Sequence, residues 1–158
     1  MQELNNQIIN ANSGTWVGTT TLATNPTQTT LGVSQIYTVK NFDINFTIES
    51  GNALADANVL EAITAYIMFV PQGMNVTDSY NLEHPEYILN YKYLGSPPGT
   101  TVGGSEVQQF QPTRLRTRMA RKLQTGDSII LFVKGLNSSS SNVNVFLSGL
   151  IRWWTKAN

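Results

Sequence analysis

The stretch NFDINFTI at 41–48 limits this chain more than any other: Phe42, Ile44, Phe46 and Ile48 alternate strictly with Asn41, Asp43, Asn45 and Thr47. Side chains that change face at every residue belong to a strand, and one apolar face against one polar face marks an antiparallel strand half-buried in a sheet. Such a strand needs neighbours to satisfy its backbone and a second layer to cover its apolar side. The chain must therefore supply enough further strands to build two facing sheets.

It does so along most of its length. TWVGTTTLAT at 15–24 has strand composition and stops at Asn25-Pro26, where proline removes a ladder donor. QIYTVKNFDINFTIE at 35–49 contains the alternating core stretch. SGNALADAN at 50–58 reads as a connection with room for one helical turn, and VLEAITAYIMFVPQG at 59–73 as a strand, its Ile, Thr, Tyr, Phe and Val outweighing a buried-helix reading. MNVTDSYNLEHP at 74–85 is a long loop; EYILNYKYLG at 86–95 reads as one turn followed by strand. SPPGTTVGGS at 96–105 is a Gly- and Pro-rich connection, EVQQFQP a weak strand, and Gln124 to Asp127 a turn between RLRTRMARKL and SIILFVKG. After the SSSSN loop at 138–142, VNVFLSGLIRWWT places Val143, Val145, Leu147, Ile151 and Trp153 on one side.

About eight strands and almost no helix call for an all-β sandwich, and several connections of ten residues or more favour Greek-key crossings over a meander. The expectation is a jelly roll, an eight-stranded antiparallel Greek-key sandwich, as a single domain over 15–158 after a polar lead-in at 1–14. Composition agrees: hydrophobic residues are 41% and charged residues only 13%, with Thr, Asn, Ser and Gly dominating the polar remainder.

Several chemistries drop out. No cysteine is present, which excludes thiolate catalysis, a disulfide framework and a thiolate zinc site. His84 is the single histidine; with Asp78, Glu83 and Glu86 it makes a loose oxygen-rich group that reads as a solvated loop, so no metal or cofactor is expected. No nucleophile elbow accompanies it, and an enzyme is not expected. GTTVGGS at 99–105 has phosphate-loop glycine spacing but Ser where Lys is required. The Asn45, Asn75 and Asn137 sequons are what an Asn- and Thr-rich chain produces by chance. The longest apolar run, 65–71, is too short to cross a bilayer, so no membrane insertion is expected.

Charge is more informative. The formal net charge is zero, yet five of the ten basic residues fall between 114 and 122. On a strand, Arg114, Arg116 and Arg118 would project from one face about 7 Å apart, given a rise of about 3.4 Å per residue. Guanidiniums in a row repel one another unless they meet carboxylates or phosphates. Arg114, Arg116, Arg118, Arg121 and Lys122 are therefore the candidates for subunit contacts or for nucleic-acid contacts. The adjacent Trp153 and Trp154 must point to opposite faces of a strand, one into the core and one under a loop, a neighbouring subunit or a sugar.

QQFQPTRLRTRMARKLQTGDSIILFVKG, SGLIRWWTKAN and EAITAYIMFVPQGMNVTDSYNLEHPEYILNYKYLGSPPG resemble the coat proteins of circular Rep-encoding single-stranded DNA viruses, the circovirus-like group. The most specific parts are RTRMARKLQTGD, from Arg116 to Asp127, and the terminal WTKAN, and the resemblance spans residues 35 to 158. It implies a viral jelly roll that self-assembles with about sixty identical copies into a small icosahedral shell, located in the virion and enclosing circular single-stranded DNA. Coat proteins of this group usually begin with an Arg-rich arm, whereas residues 1 to 39 here contain no Lys or Arg. DNA contact would then depend on local basic residues or on an arm absent from this chain. The alternative is a jelly-roll carbohydrate- or ligand-binding module using Tyr80, Tyr87, Tyr91 and Trp154.

Overall fold

The computed structural model describes residues 2–25, 36–50, 60–96, 99–102, 105–108 and 112–157. They form two antiparallel sheets. Sheet A runs β1 (Gln2–Ala11), β11 (Val143–Ala157), β3 (Tyr37–Ser50), with β8 (Thr113–Arg116) and β9 (Arg121–Leu123) sharing the far side of β3. Sheet B runs β2 (Gly14–Thr24), β10 (Ser128–Asn137), β4 (Leu60–Val70), β5 (Ile88–Gly95). A small hairpin joins β6 (Gly99–Val102) to β7 (Ser105–Gln108). With β8 and β9 taken as one interrupted strand, successive strands cross from sheet to sheet except at β4–β5. This is the jelly-roll topology expected from the alternating segments and long connections.

The facing sides hold the core. Phe42, Ile44, Phe46 and Ile48 of β3 meet Ile63, Ile67 and Phe69 of β4 and Ile129, Leu131 and Val133 of β10 in one cluster. Trp16 lies within it at 2% exposure, made possible by Gly135: a Cβ there would fall 2.7 Å from the indole.

Two expectations are corrected. Residues 1–14 are not a lead-in, because Gln2–Ala11 pairs with β11 from Gln2 opposite Ile151 to Ala11 opposite Val143. Ile9 and Ala11 point inward while Gln7, Ile8 and Asn10 stay exposed. An edge strand with one wet face can be this polar, and Gly18 leaves the space that Ile9 fills. The segment 96–105 is also more than a connection, since it contributes β6 and the start of β7. The expected connection at 50–58 lies outside the described residues, apart from Ser50, which ends β3.

Part of sheet B's outer side is covered by the chain itself. The segment after β4 forms the short helix α1 (Tyr80–Glu83) and a 3-10 turn (Pro85–Tyr87), and it carries Tyr80 onto Met68, Val70, Ile130 and Phe132. Tyr80 is fully buried, and its hydroxyl donates to the Phe69 carbonyl at 3.1 Å. Burial on both faces explains why IMFV and SIILFV run without alternation, whereas β3 alternates. Among the described residues, no helix is long and apolar enough to cross a membrane.

Candidate nucleic-acid interface

Among the described residues, Lys40, Arg116, Lys122, Arg152, Trp154 and Lys156 stand exposed on the outer side of sheet A, and the register decides how they are arranged. Arg152 on β11 and Arg116 on β8 both oppose Asp43 on β3. Lys156 on β11 and Lys122 on β9 both oppose Thr38. Between these two rows Trp154 opposes Lys40. Directly paired residues share a face with their Cβ atoms about 4.5–5.5 Å apart.

A bulge makes the middle row. The β3–β11 register shifts between Arg152 and Trp154, and the extra residue on β3 includes Asn41 at φ +55°. Residues three apart on a regular strand face opposite ways; the left-handed Asn41 returns Lys40 to the face of Asp43. Asn tolerates that conformation better than most residues. On the inner side of the same irregularity, Trp153 stacks on Phe42 with ring centres 6.2 Å apart. Trp154 turns outward at 68% exposure.

The face thus carries Lys40, Arg114, Arg116, Lys122, Arg152 and Lys156, all exposed, against the acids Glu3, Asp43 and Glu49. A chain of zero net charge concentrates six of its ten basic residues here. Glu49 lies toward the other end of the sheet, opposite Phe146, whereas Glu3 shares the row of Leu150, Asn45 and Arg114, next to that of Arg152. Asp43 is engaged by Arg114, whose Nε donates to Oδ1 at 2.7 Å while its Nη2 donates to Oδ2. That hydrogen bonding, with the charges of Arg114, Arg116 and Arg152, holds the Asp43 carboxyl below its ordinary value against some desolvation. The same contact raises Arg114. Among the described residues, no ion pair neutralises Lys40, Arg116, Lys122, Arg152 or Lys156.

The five expected residues do not act as one row. Arg114 and Arg116 share the face as anticipated. The ladder then ends, because Thr117 turns inward and its Oγ1 accepts the Met119 N–H at 3.1 Å, redirecting the chain. Arg118 is exposed but lies off the strand. Arg121 opposes the inward-facing Val39 and sets its guanidinium 4.1 Å above the Phe69 ring, so it belongs to the end of the sandwich. Lys122 joins the face through its pairing with Thr38. Lys40, Arg152, Lys156 and Trp154 were missed as members. For β11 the signal was present, since Arg152, Trp154 and Lys156 alternate; Lys40 depended on the bulge.

The turn at Gln124–Asp127 is structural. Asp127 accepts the Gln72 N–H at 3.0 Å and the Gln124 N–H at 2.8 Å through its two carboxylate oxygens, and its carbonyl accepts Asn25 N–H at 3.0 Å. It ties the ends of β2, β4 and β9 to the start of β10. His84 stacks on Tyr87 and lies tilted against Tyr80, beside Glu86. Among the described residues, no group of three or more His, Cys, Asp or Glu side chains could hold a metal ion.

The aromatic residues of the sugar-binding alternative are dispersed. Tyr80 is buried and Tyr87 packs edge-on against Phe69 under the covering segment. Tyr91 stacks on Tyr66 at the edge of sheet B, and Trp154 lies on the opposite sheet.

Fold and face together define a two-sheet jelly roll with a cationic outer surface. Comparison with known proteins adds no closer placement: no family model and no curated protein matches this chain.

Proposed function

We propose that the chain is a structural capsid subunit that self-assembles into a small closed shell around single-stranded DNA. The observation that carries this reading is the segregation of charge: a neutral jelly roll gathers six of its ten basic residues on the outer side of one sheet. Neutralising phosphates by local Lys and Arg is what a genome-enclosing surface needs when the overall charge offers no field. The resemblance of 35–158 to circovirus-like coat proteins points the same way. Scattered exposed apolar side chains, among them Ile8, Leu82, Met119, Tyr91 and Tyr93, provide material for contacts between copies.

Electron microscopy of the purified full chain, with and without added single-stranded DNA, tests the reading. Uniform closed particles that protect DNA from nuclease are expected. A glycan-binding protein that never forms particles would establish the carbohydrate-module alternative instead.

A further inference from the structure

Trp154 is the most exposed aromatic residue among those described, and it stands between two cationic rows. On one side are Arg152 and Arg116, on the other Lys156 and Lys122, with Lys40 directly opposite. Arg152 and Lys156 each lie two residues away on the same strand, about 7 Å along it. A large exposed indole among like charges is poor design for a merely solvated face. It suits a ligand that brings both an apolar ring and repeated negative charge.

Nucleic acid has both, but only in one form can it use both here. In a duplex the bases are stacked on each other and present phosphates alone. In a single strand the bases are free to leave the stack, and an aromatic platform holds them without regard to sequence because every base has a π-face. The rows on either side then meet the phosphates on both flanks of the stacked nucleotide, Arg with its planar fork and Lys as a point charge.

We infer that the outer face of sheet A is a single-strand-selective nucleic-acid site in which Trp154 stacks on a base while Arg116, Arg152, Lys122 and Lys156 hold the flanking phosphates. The inference rests on the genome-enclosing reading above and deepens it: in a closed shell, sheet A would face the lumen. Asp43 limits the site by engaging Arg114.

The test uses the full chain and an oligothymidylate of about twenty nucleotides, with a duplex of equal length as comparison. Trp16 is buried and Trp153 half-buried, so a collisional quencher such as acrylamide reports chiefly on Trp154. Oligothymidylate should protect this fluorescence from the quencher, and the duplex should not. Trp154→Ala should weaken oligothymidylate binding about tenfold or more while Trp154→Phe retains most of it, in line with the energy of one base–aromatic stack. Duplex binding should be unchanged by either substitution. If Trp154→Ala disturbs folding, the protection measurement on the unsubstituted protein decides.

No protection, equal protection by duplex, or full oligothymidylate affinity in a folded Trp154→Ala variant overturns the inference. Loss of self-association in Trp154→Ala with unchanged DNA affinity would make Trp154 a contact between copies and also overturns it. Particle formation by the unsubstituted protein is scored separately. Shells without Trp154 protection sink this site alone, and protection without shells sinks the shell reading while leaving the site.

Discussion

Arg114 grips Asp43 with two parallel hydrogen bonds across neighbouring strands, although 71 positions separate them in the chain. The pair neutralises a cation of the face from within, and its removal has consequences in two directions.

Asp43→Asn should strengthen polyanion binding, because Arg114, Arg116 and Arg152 lose their shared carboxylate. With one more cation free, the slope of log affinity against log salt for single-stranded DNA should steepen by about 0.7. Affinity titrations at several salt concentrations measure it. An unchanged slope would show that Asp43 leaves the face as it is.

The same carboxylate links stability to pH. Its folded-state value lies below the ordinary 3.8, so the stabilisation is present above the unfolded value and is lost as pH falls through the folded one. Denaturant midpoints of the native chain and Asp43→Asn should therefore differ at pH 7 and converge as pH falls through the lowered folded-state value. A difference that persists in strong acid would mean that the substitution acts through packing.

Arg116→Gln, Lys122→Gln, Arg152→Gln and Lys156→Gln should each lower the salt slope by about 0.7 with little effect on folding. Arg121→Gln should leave the slope unchanged and instead reduce stability by about 1 kcal/mol, as its guanidinium lies on Phe69. Equal slope changes for Arg121 and Arg116 would contradict their assignment to different surfaces.

The extent to which these positions can be read from the chain follows from the range of the forces involved. Alternation in 42–48 and 143–153 is local, set by one wet face and one dry face, and it survives into the structure residue by residue. The continuous apolar runs of β4 and β10 gave strands but not the reason for their continuity, which is the covering segment with Tyr80. Strand β1 escaped because, among its described side chains, only Ile9 and Ala11 face the core, too few to show a pattern. The cationic face was half-visible: Arg114 and Arg116 alternate in one segment, while Lys40 joins them through an αL bulge that no periodicity announces. Arg121 lies at the end of the sandwich and not on this face because the alternation breaks at Thr117, where a side-chain bond to Met119 turns the chain.

Asp127→Ala should destabilise the fold by about 2–4 kcal/mol, leaving the Gln72 and Gln124 N–H groups without their shared acceptor. Thermal or urea unfolding checks it. A loss well below 1 kcal/mol would mean that water replaces the carboxylate and the turn is not a tie between strand ends.

Gly135→Ala should cost about 1–3 kcal/mol, since the added methyl meets Trp16 at 2.7 Å in a filled core. Near-UV circular dichroism of the indole should change with it. Unaltered stability and spectrum would show that Trp16 has room to move.

The most direct test of the whole account is the particle mass of the purified full chain by analytical ultracentrifugation. The account predicts a discrete species of about a megadalton, the mass of roughly sixty 17.4-kDa chains. A protein that sediments as a monomer or small oligomer at every salt concentration, with single-stranded DNA present or absent, would contradict it.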